Sequence, residues 1–357
     1  MAAERVTLKV LAEDLGVSRA TVSNAYNRPD QLSPALRSKI LARAAELGFA
    51  GPDPVARGLR RGRVGAVGVL VDQSVSYAFS DPVAVLVLDG LAEELQADGF
   101  GLLLHAASGR PSAERLVRAA AVDGWILMTV PAWHPTVSAA TAAGRPLVVL
   151  DEPTLPGVPA VTIDDAGGAR VAAEHLLELG HRDIGVLTPS LHQDGQPGLL
   201  DPYSWSSAAD TVMSIRLAAV TATLTTAGVP GSVTPVVECS ANTRAAGREG
   251  TALLLESFER LTAVLALSDQ LALGALQCAS EYNMSVPGAL SVVGFDDAPP
   301  GRTSHPPLTT VAQPLRERGT AAGQLMRRLL RGEPVTPPPP FPTHLVVRGS
   351  SARPKQR

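Results

Sequence analysis

Apolar positions follow two rhythms along this chain. Up to residue 63 they recur three or four apart, as on one face of a helix; beyond it they come in short runs, apolar on both faces. In the first part Leu36, Ile40, Ala44 and Leu47 form such a stripe. Ser33 and Pro34 start that helix, because a hydroxyl accepts from a free N–H of the first turn and proline has no N–H to lose there; Gly48 closes it. Thr7 caps a helix through Leu15 that Gly16 ends. Ser18 caps another through Tyr26, with Asn27 suited to the left-handed position after it. The spacing predicts three short helices around a small shared core.

The second rhythm predicts nine strands, at 64–71, 100–106, 124–130, 146–150, 160–163, 183–189, 233–239, 263–268 and 290–295. Helical stretches such as 83–98, 167–179, 244–258 and 269–282 lie between them. Strands apolar on both faces and interleaved with helices imply an α/β fold of parallel sheets covered on both sides. Nine of them predict two doubly wound lobes, with a ligand where the strand ends of the lobes face each other. The proline-rich run EPVTPPPPFPT (333–343) reads as a stiff connector into a last strand, HLVVRG.

Composition narrows the function. The chain has 357 residues, which implies two or more domains, and is 45% hydrophobic and 18% charged, with no apolar run of bilayer-crossing length. The start, MAAERVTLKVLAEDLG, has no apolar core of export-signal length, so a cytoplasmic location is expected. Cys239 and Cys278 lack metal-ligand or redox spacing and are expected to be buried free thiols. GxSxG, HExxH, a Walker loop and GxGxxG after a strand are all missing, so an enzyme is not expected, nor any cofactor or metal.

Charge is uneven. Residues 1–63 hold eleven Lys and Arg against six Asp and Glu, a net of +5, leaving −8 on the rest of a chain whose formal charge is −3. A basic head on an acidic body fits a protein whose head alone meets a polyanion. Within the head, the run LGVSRATVSNAYN (15–27) has no acid. On a helix from Ser18, Val22, Ala25 and Tyr26 fall on one side, to pack on Leu11, Leu15 and Val17. Arg19, Ala20, Ser23, Asn24 and Asn27 fall on the other. That outer face is flat and hydrogen-bonding, and it can lie in a major groove about 12 Å wide without acids to repel phosphate. Helix, glycine turn and second helix make a helix-turn-helix.

The segment TLKVLAEDLGVSRATVSNAYN closely resembles the N-terminal headpiece of the lactose-repressor (LacI-type) family of bacterial transcription regulators, with Leu11 where the family pattern has valine. Further on, IDDAGGARVAAEHLLELGHRDIGVL, SDQLALGAL, VPGALSVVGFDDAP and LTTVAQPLRERG resemble that family's effector domain. The resemblance implies a helix-turn-helix headpiece at 1–50, a hinge helix and linker at 51–63, and a two-lobed periplasmic-binding-protein-like effector domain. The first lobe is expected at 64–163, the chain returning to it at about 297–332; the second at 164–296, completed by about 333–357. It further implies base readout by Arg19, Ala20 and Asn24. Ser18, Thr21, Ser23 and Asn27 suit phosphates, which set register without reading bases. In the segment DPVARGLRRGR, Leu59 matches the family's minor-groove wedge, and Arg57 and Arg60 suit phosphates or the narrow groove.

In the body, acids gather at predicted strand ends: Asp72, Asp151, Asp269, Asp296 and Asp297. In a binding lobe such carboxylates accept from hydroxyls or amines. The resemblance implies effector contacts from Asp269, which opens the SDxxALG helix, and from Arg216 in IRLAA, where the family's usual glycine is Ala219. The loop SYAFSDP is expected to contribute Phe79 or Asp81, and Trp133 to cover the cleft or pack; Asp151 and Asp296 complete the expected set. His175 and His181 read as surface or capping residues. The chain is thus expected to be a DNA-binding regulator, a repressor, acting as a homodimer or higher assembly on an approximately palindromic double-stranded operator. A small-molecule effector, sugars being common in the family, is expected to modulate it. A solute-binding protein or a carbohydrate-modifying enzyme with the same two-lobed cleft is the alternative.

Overall fold

The computed structural model describes residues 6–49, 51, 63–107, 112–191, 196–201, 211–229 and 234–355, and the chain divides into two compact units, Met1–Gly65 and Ala66–Arg357. The first holds α1 (Leu8–Leu15), α2 (Arg19–Asn27), a 3-10 turn (Pro29–Gln31) and α3 (Pro34–Glu46). Each helix starts on the expected hydroxyl: Thr7 accepts from Val10 N, Ser18 from Thr21 N and Ser33 from Leu36 N. Gly16 ends α1 at φ 66°. Leu11, Val22, Ala25, Ile40 and Ala44 are buried together as the core. Asn27 departs from expectation. It is the last residue of α2 rather than a left-handed cap, because its Nδ2 donates back to Ser23 O (2.9 Å) and Ser23 Oγ (3.2 Å).

The second unit begins with β1 (Ala66–Val71), α4 (Val75–Ser80), α5 (Pro82–Gln96), β2 (Gly101–Ala106), α6 (Ser112–Ala119), β3 (Gly124–Met128), α7 (Pro135–Ala142), β4 (Leu147–Leu150) and β5 (Ala160–Val161). Its strands form an all-parallel sheet in the order β2-β1-β3-β4-β5. There follow α8 (Asp165–Glu178), β6 (Ile184–Thr188), β7 (Gly198–Leu199), α9 (Val212–Thr226), β8 (Val236–Glu238), α10 (Arg244–Ser257), β9 (Ala263–Ala266), α11 (Asp269–Glu281), β10 (Ser291–Asp296), α12 (Pro299–Arg302), β11 (Thr309–Ala312), α13 (Leu315–Leu330) and β12 (His344–Val346). The second sheet runs β12-β11-β10-β9-β6-β8-β7, parallel except at its β12 and β7 edges. Apolar clusters lie on both faces of each sheet, which is why the strands carry no polar alternation.

All nine expected strands are present, and β11 and the two-residue β7 are additions. Strand β11 is the one that changes the lobe boundary. It pairs with β10, so residues 297–312 stay with the second lobe and the chain returns to the first only as α13, later than the expected 297. Helix α13 completes the first lobe: its Ala322, Leu325 and Met326 share a core with Leu91 and Val148. Glycines bring it close to α5, since a Cβ on Gly319 would stand 2.0 Å from Val87 O and one on Gly90 2.1 Å from Arg316 O. The proline-rich connector then passes beside the first crossover, Phe341 N donating to Thr162 O and Asp164 N to Phe341 O.

Candidate nucleic-acid interface and ligand cleft

Within the first unit, α2 buries Val22 and Ala25 and leaves Ser18, Arg19 and Ala20 exposed and Thr21, Ser23, Asn24 and Asn27 half-buried. Arg19 and Ser23 share a helical face, as do Ala20 and Asn24, so the expected base-reading residues stand side by side. Several are held in place. Ser18 and Thr21 hydroxyls are 2.8 Å apart, and Asn24 Nδ2 donates to Gln31 Oε1 at 3.2 Å, a partner that sequence reading did not single out. Arg37 Nε donates to Ala25 O near the end of α2, while Arg43 makes two bonds to Asp14 (2.6 and 2.9 Å) and one to Glu46 (2.7 Å). That fork ties α3 to α1 and holds the Asp14 carboxyl below the usual range. Arg57, Leu59 and Arg60 of the expected hinge lie outside the described residues.

In the second unit the C-terminal strand ends of the two sheets face a cleft. Three residues lining it, Thr129, Asp151 and Asp296, take positive φ (53°, 67° and 129°), unusual for side chains with a Cβ and typical of functional loops. A chain of polar contacts runs through it. Asp151 accepts from Thr129 Oγ1 (3.0 Å) and from Arg318 Nη2; Arg318 Nη1 donates to Gln313 Oε1; and Gln313 Nε2 donates to Asp296 Oδ1 (2.6 Å). Asp296 is 3.8 Å from Arg216, whose Nε donates to Asp165 (2.7 Å), whose Nη1 donates to Leu267 O (2.9 Å), and whose guanidinium lies 3.6 Å from the centre of the Phe295 ring. Both arginines are buried, so each is fixed by its carboxylate rather than left as a free charge.

Two chambers open on this network. The inner, about 150 Å³, is lined by Asp72, Tyr77, Asp81, Met128, Asp151, Arg216, Asn242, Asp296, Gln313 and Arg318 among others. The outer, about 350 Å³, shares Asp72, Gln73, Thr129, Met213 and Asn242 with it and adds Trp133, Glu152, Ser190 and Thr211. The lobes touch across the cleft through Tyr77 Oη, which donates to Asn242 O (2.9 Å), and through Glu152, whose Oε2 accepts from Val212 N (2.9 Å) at the start of α9. Burial raises the carboxyls of Asp72 to about 6 and Glu152 to about 7, and it also raises Asp81, Asp165, Asp269 and Asp296.

Of the expected effector contacts, Asp81, Asp151, Arg216 and Asp296 line the inner chamber. Phe79 and Asp269 do not. Phe79 is 68% exposed, because α4 turns Ala78 inward instead. Asp269 is buried and accepts from Thr310 Oγ1 (2.6 Å) and Ala298 N (2.7 Å), so it fixes the loop after β10 while its neighbour Ser268 meets the chamber. Asp297 is likewise turned away, onto Arg348 (2.5 Å) and Arg302 (2.9 Å). His181 is not at the surface. It is 1% exposed and bonded to Thr262, Ser291 and Ala352 O, fixing the C-terminal segment, while His175 meets Ser351. Arg318, Gln313 and Tyr77 were not singled out from sequence, and Asn242 matches no ligand motif strongly enough to be assigned from it. Among the described residues, no group of three His, Cys, Asp or Glu is placed to hold a metal ion, and no helix is long and apolar enough to cross a membrane.

A capped polar helix displayed by a three-helix head, on one chain with a two-lobed unit enclosing a polar cleft, defines a ligand-responsive DNA-binding regulator. Residues 173–351 match the periplasmic binding protein-like domain family. The chain is 41% identical to an HTH-type transcriptional regulator of Mycolicibacterium smegmatis, over 90% of each chain, and 38% identical to the HTH-type transcriptional regulator IpsA of Corynebacterium glutamicum, over 93% of each. Among solved structures it is similar to a LacI family transcriptional regulator from Corynebacterium glutamicum (33% identical, 98% and 99% of the chains, TM-score 0.75). It is also similar to the lac repressor dimer bound to operator and the anti-inducer ONPF (26%, 98% and 100%, TM-score 0.75), and to the CelR–cellobiose complex (29%, 97% and 100%, TM-score 0.68). The chain belongs to the LacI family of HTH-type transcriptional regulators.

Proposed function

We propose that this regulator is a cytoplasmic repressor rather than an enzyme, and that it binds an approximately palindromic operator as a homodimer whose affinity a small polyhydroxylated effector alters. A dimer suits a head this small, because two-fold pairing matches two half-sites. The lac repressor relative is a dimer on its operator. Arg19 pairs bidentately with a guanine, Ala20 meets a thymine methyl and Asn24, steadied by Gln31, pairs with adenine, each specific pairing giving roughly 1–3 kcal/mol of discrimination. Backbone positioning falls to Ser18, Thr21, Ser23 and Asn27. Leu59, with Arg57 and Arg60, enters the central minor groove.

The observation that carries the effector reading is the polar chain Asp151–Arg318–Gln313–Asp296–Arg216, which joins groups of both lobes around one chamber. Because both guanidiniums are already paired, the described residues of the chamber present hydrogen-bonding groups without a free cation, which suits hydroxyls better than an anion. A ligand bridging the two rims favours one relative placement of the lobes and so shifts DNA affinity by its differential binding to two states. The test is selection of bound fragments from random duplexes, with and without sugars and polyols. A two-fold-related motif whose recovery changes with one compound supports the reading; indifference to sequence under all conditions refutes it.

A further inference from the structure

The outer chamber differs from the inner one in charge. No Lys, Arg or His is among its described lining residues, although two carboxylates are. Asp72 makes no hydrogen bond or ion pair among the described residues. Glu152 spends one oxygen on Val212 N and, among the described residues, has no partner for the other. Asp72 is close enough to Glu152 to raise its proton affinity, and the neighbouring arginines are held elsewhere, Arg318 by Asp151 and Arg216 by Asp165 and Asp296. Trp133, 38% exposed, lines the same chamber, and its indole offers a negative ring face. Two under-neutralised carboxylates and an open aromatic in a 350 Å³ space joined to the polyol chamber form a receptor for a positive group.

We propose that the effector carries a protonated amine, an amino sugar or other amino polyol, with its hydroxyls in the inner chamber and its ammonium between Asp72, Glu152 and Trp133. This rests on the reading of the cleft as a polyol site and adds the charge of the ligand. An ammonium there needs both carboxylates ionised, so its binding displaces their protons. The other charged groups facing the pair are Asp151, paired with Arg318, and Asp165, paired with Arg216. Affinity for an amine therefore rises with pH from 5.5 to 8, with burial having raised Asp72 to about 6 and Glu152 to about 7, whereas affinity for a neutral sugar does not.

The test is calorimetric titration of the full chain with pentoses, hexoses, hexitols and disaccharides and with their primary-amine counterparts, at pH 5.5 and 8. At pH 8 an amine is expected to bind at least tenfold more tightly than its neutral counterpart, to lose that advantage at pH 5.5, and to lose it in Asp72→Asn and in Glu152→Gln. Cooperative thermal unfolding and an unchanged far-ultraviolet circular dichroism spectrum show that both variants fold. A neutral compound binding as tightly as its amine, or an amine indifferent to both substitutions, overturns the amine and leaves the polyol reading standing. Silence from every compound overturns both.

Discussion

Glu152→Gln isolates the cost of holding a carboxyl between two lobes. The substitution keeps an acceptor oxygen for Val212 N and removes the ionisable group. Burial, offset in part by that bond and reinforced by Asp151, Asp72 and Asp165, raises the carboxyl from 4.5 to about 7. A folded-state value above the unfolded one means that the native protein holds the proton more tightly. Stability from this group is therefore full below pH 4.5 and declines as pH rises through 7. A shift of about 2.5 units at 1.36 kcal/mol each comes to about 3 kcal/mol lost by pH 8. In a unit this size that corresponds to several degrees of melting temperature. Urea unfolding of both proteins at pH 4.5 and pH 8, without ligand, should show the variant matching the native chain in acid and exceeding it by about 3 kcal/mol at pH 8. Equal pH dependence in the two proteins would mean that the carboxyl is already well solvated and that the account of it is wrong.

Other outcomes follow from the same contacts. In fragment selection, Arg19→Ala should relax preference at one base pair per half-site, whereas Lys39→Ala, an exposed cation on α3, should weaken binding to all sequences alike. Gly319→Val should destabilise by about 3 kcal/mol or more in thermal unfolding, since the new side chain meets Val87 O of α5. Arg216→Ala leaves Asp165 and Asp296 buried without their cation and should cost about 3–5 kcal/mol at pH 8, less in acid, where those carboxyls are protonated. Circular dichroism melts at the two pH values check that difference.

The elements were legible wherever one physical signal dominated. Hydroxyl caps and apolar spacing marked the three helices of the head, and strands without polar alternation marked the covered sheets. Strand β11 escaped because Thr309 and Thr310 read as polar. Both are buried, and their hydroxyls are matched by Ser351, Arg348 and Asp269 through contacts 39 to 42 residues away. Asp269 was placed correctly at a strand end, but only packing shows its carboxylate turned toward Thr310 and Ala298. Arg318 lies in the segment LTTVAQPLRERG, to which sequence alone assigned no site role. It becomes a cleft residue because α13, late in the chain, folds back to the lobe that holds Asp151. Asn27 shows the opposite limit: its tolerance of left-handed backbone was real, but a bond to its own helix decided the matter.

The late arrival of α13 also orders events on the ribosome. The small head can fold as soon as it emerges, but the sheet that follows must wait, with the part of one apolar face that α5 does not cover left open, until residue 330 leaves the exit tunnel. At ordinary elongation rates of 5–20 residues per second, that is roughly ten to thirty seconds of exposure after β5 is made. A nascent chain of this architecture is therefore a natural client for chaperones during translation, and synonymous codons that slow synthesis between β5 and α13 would lengthen the hazard without altering any residue.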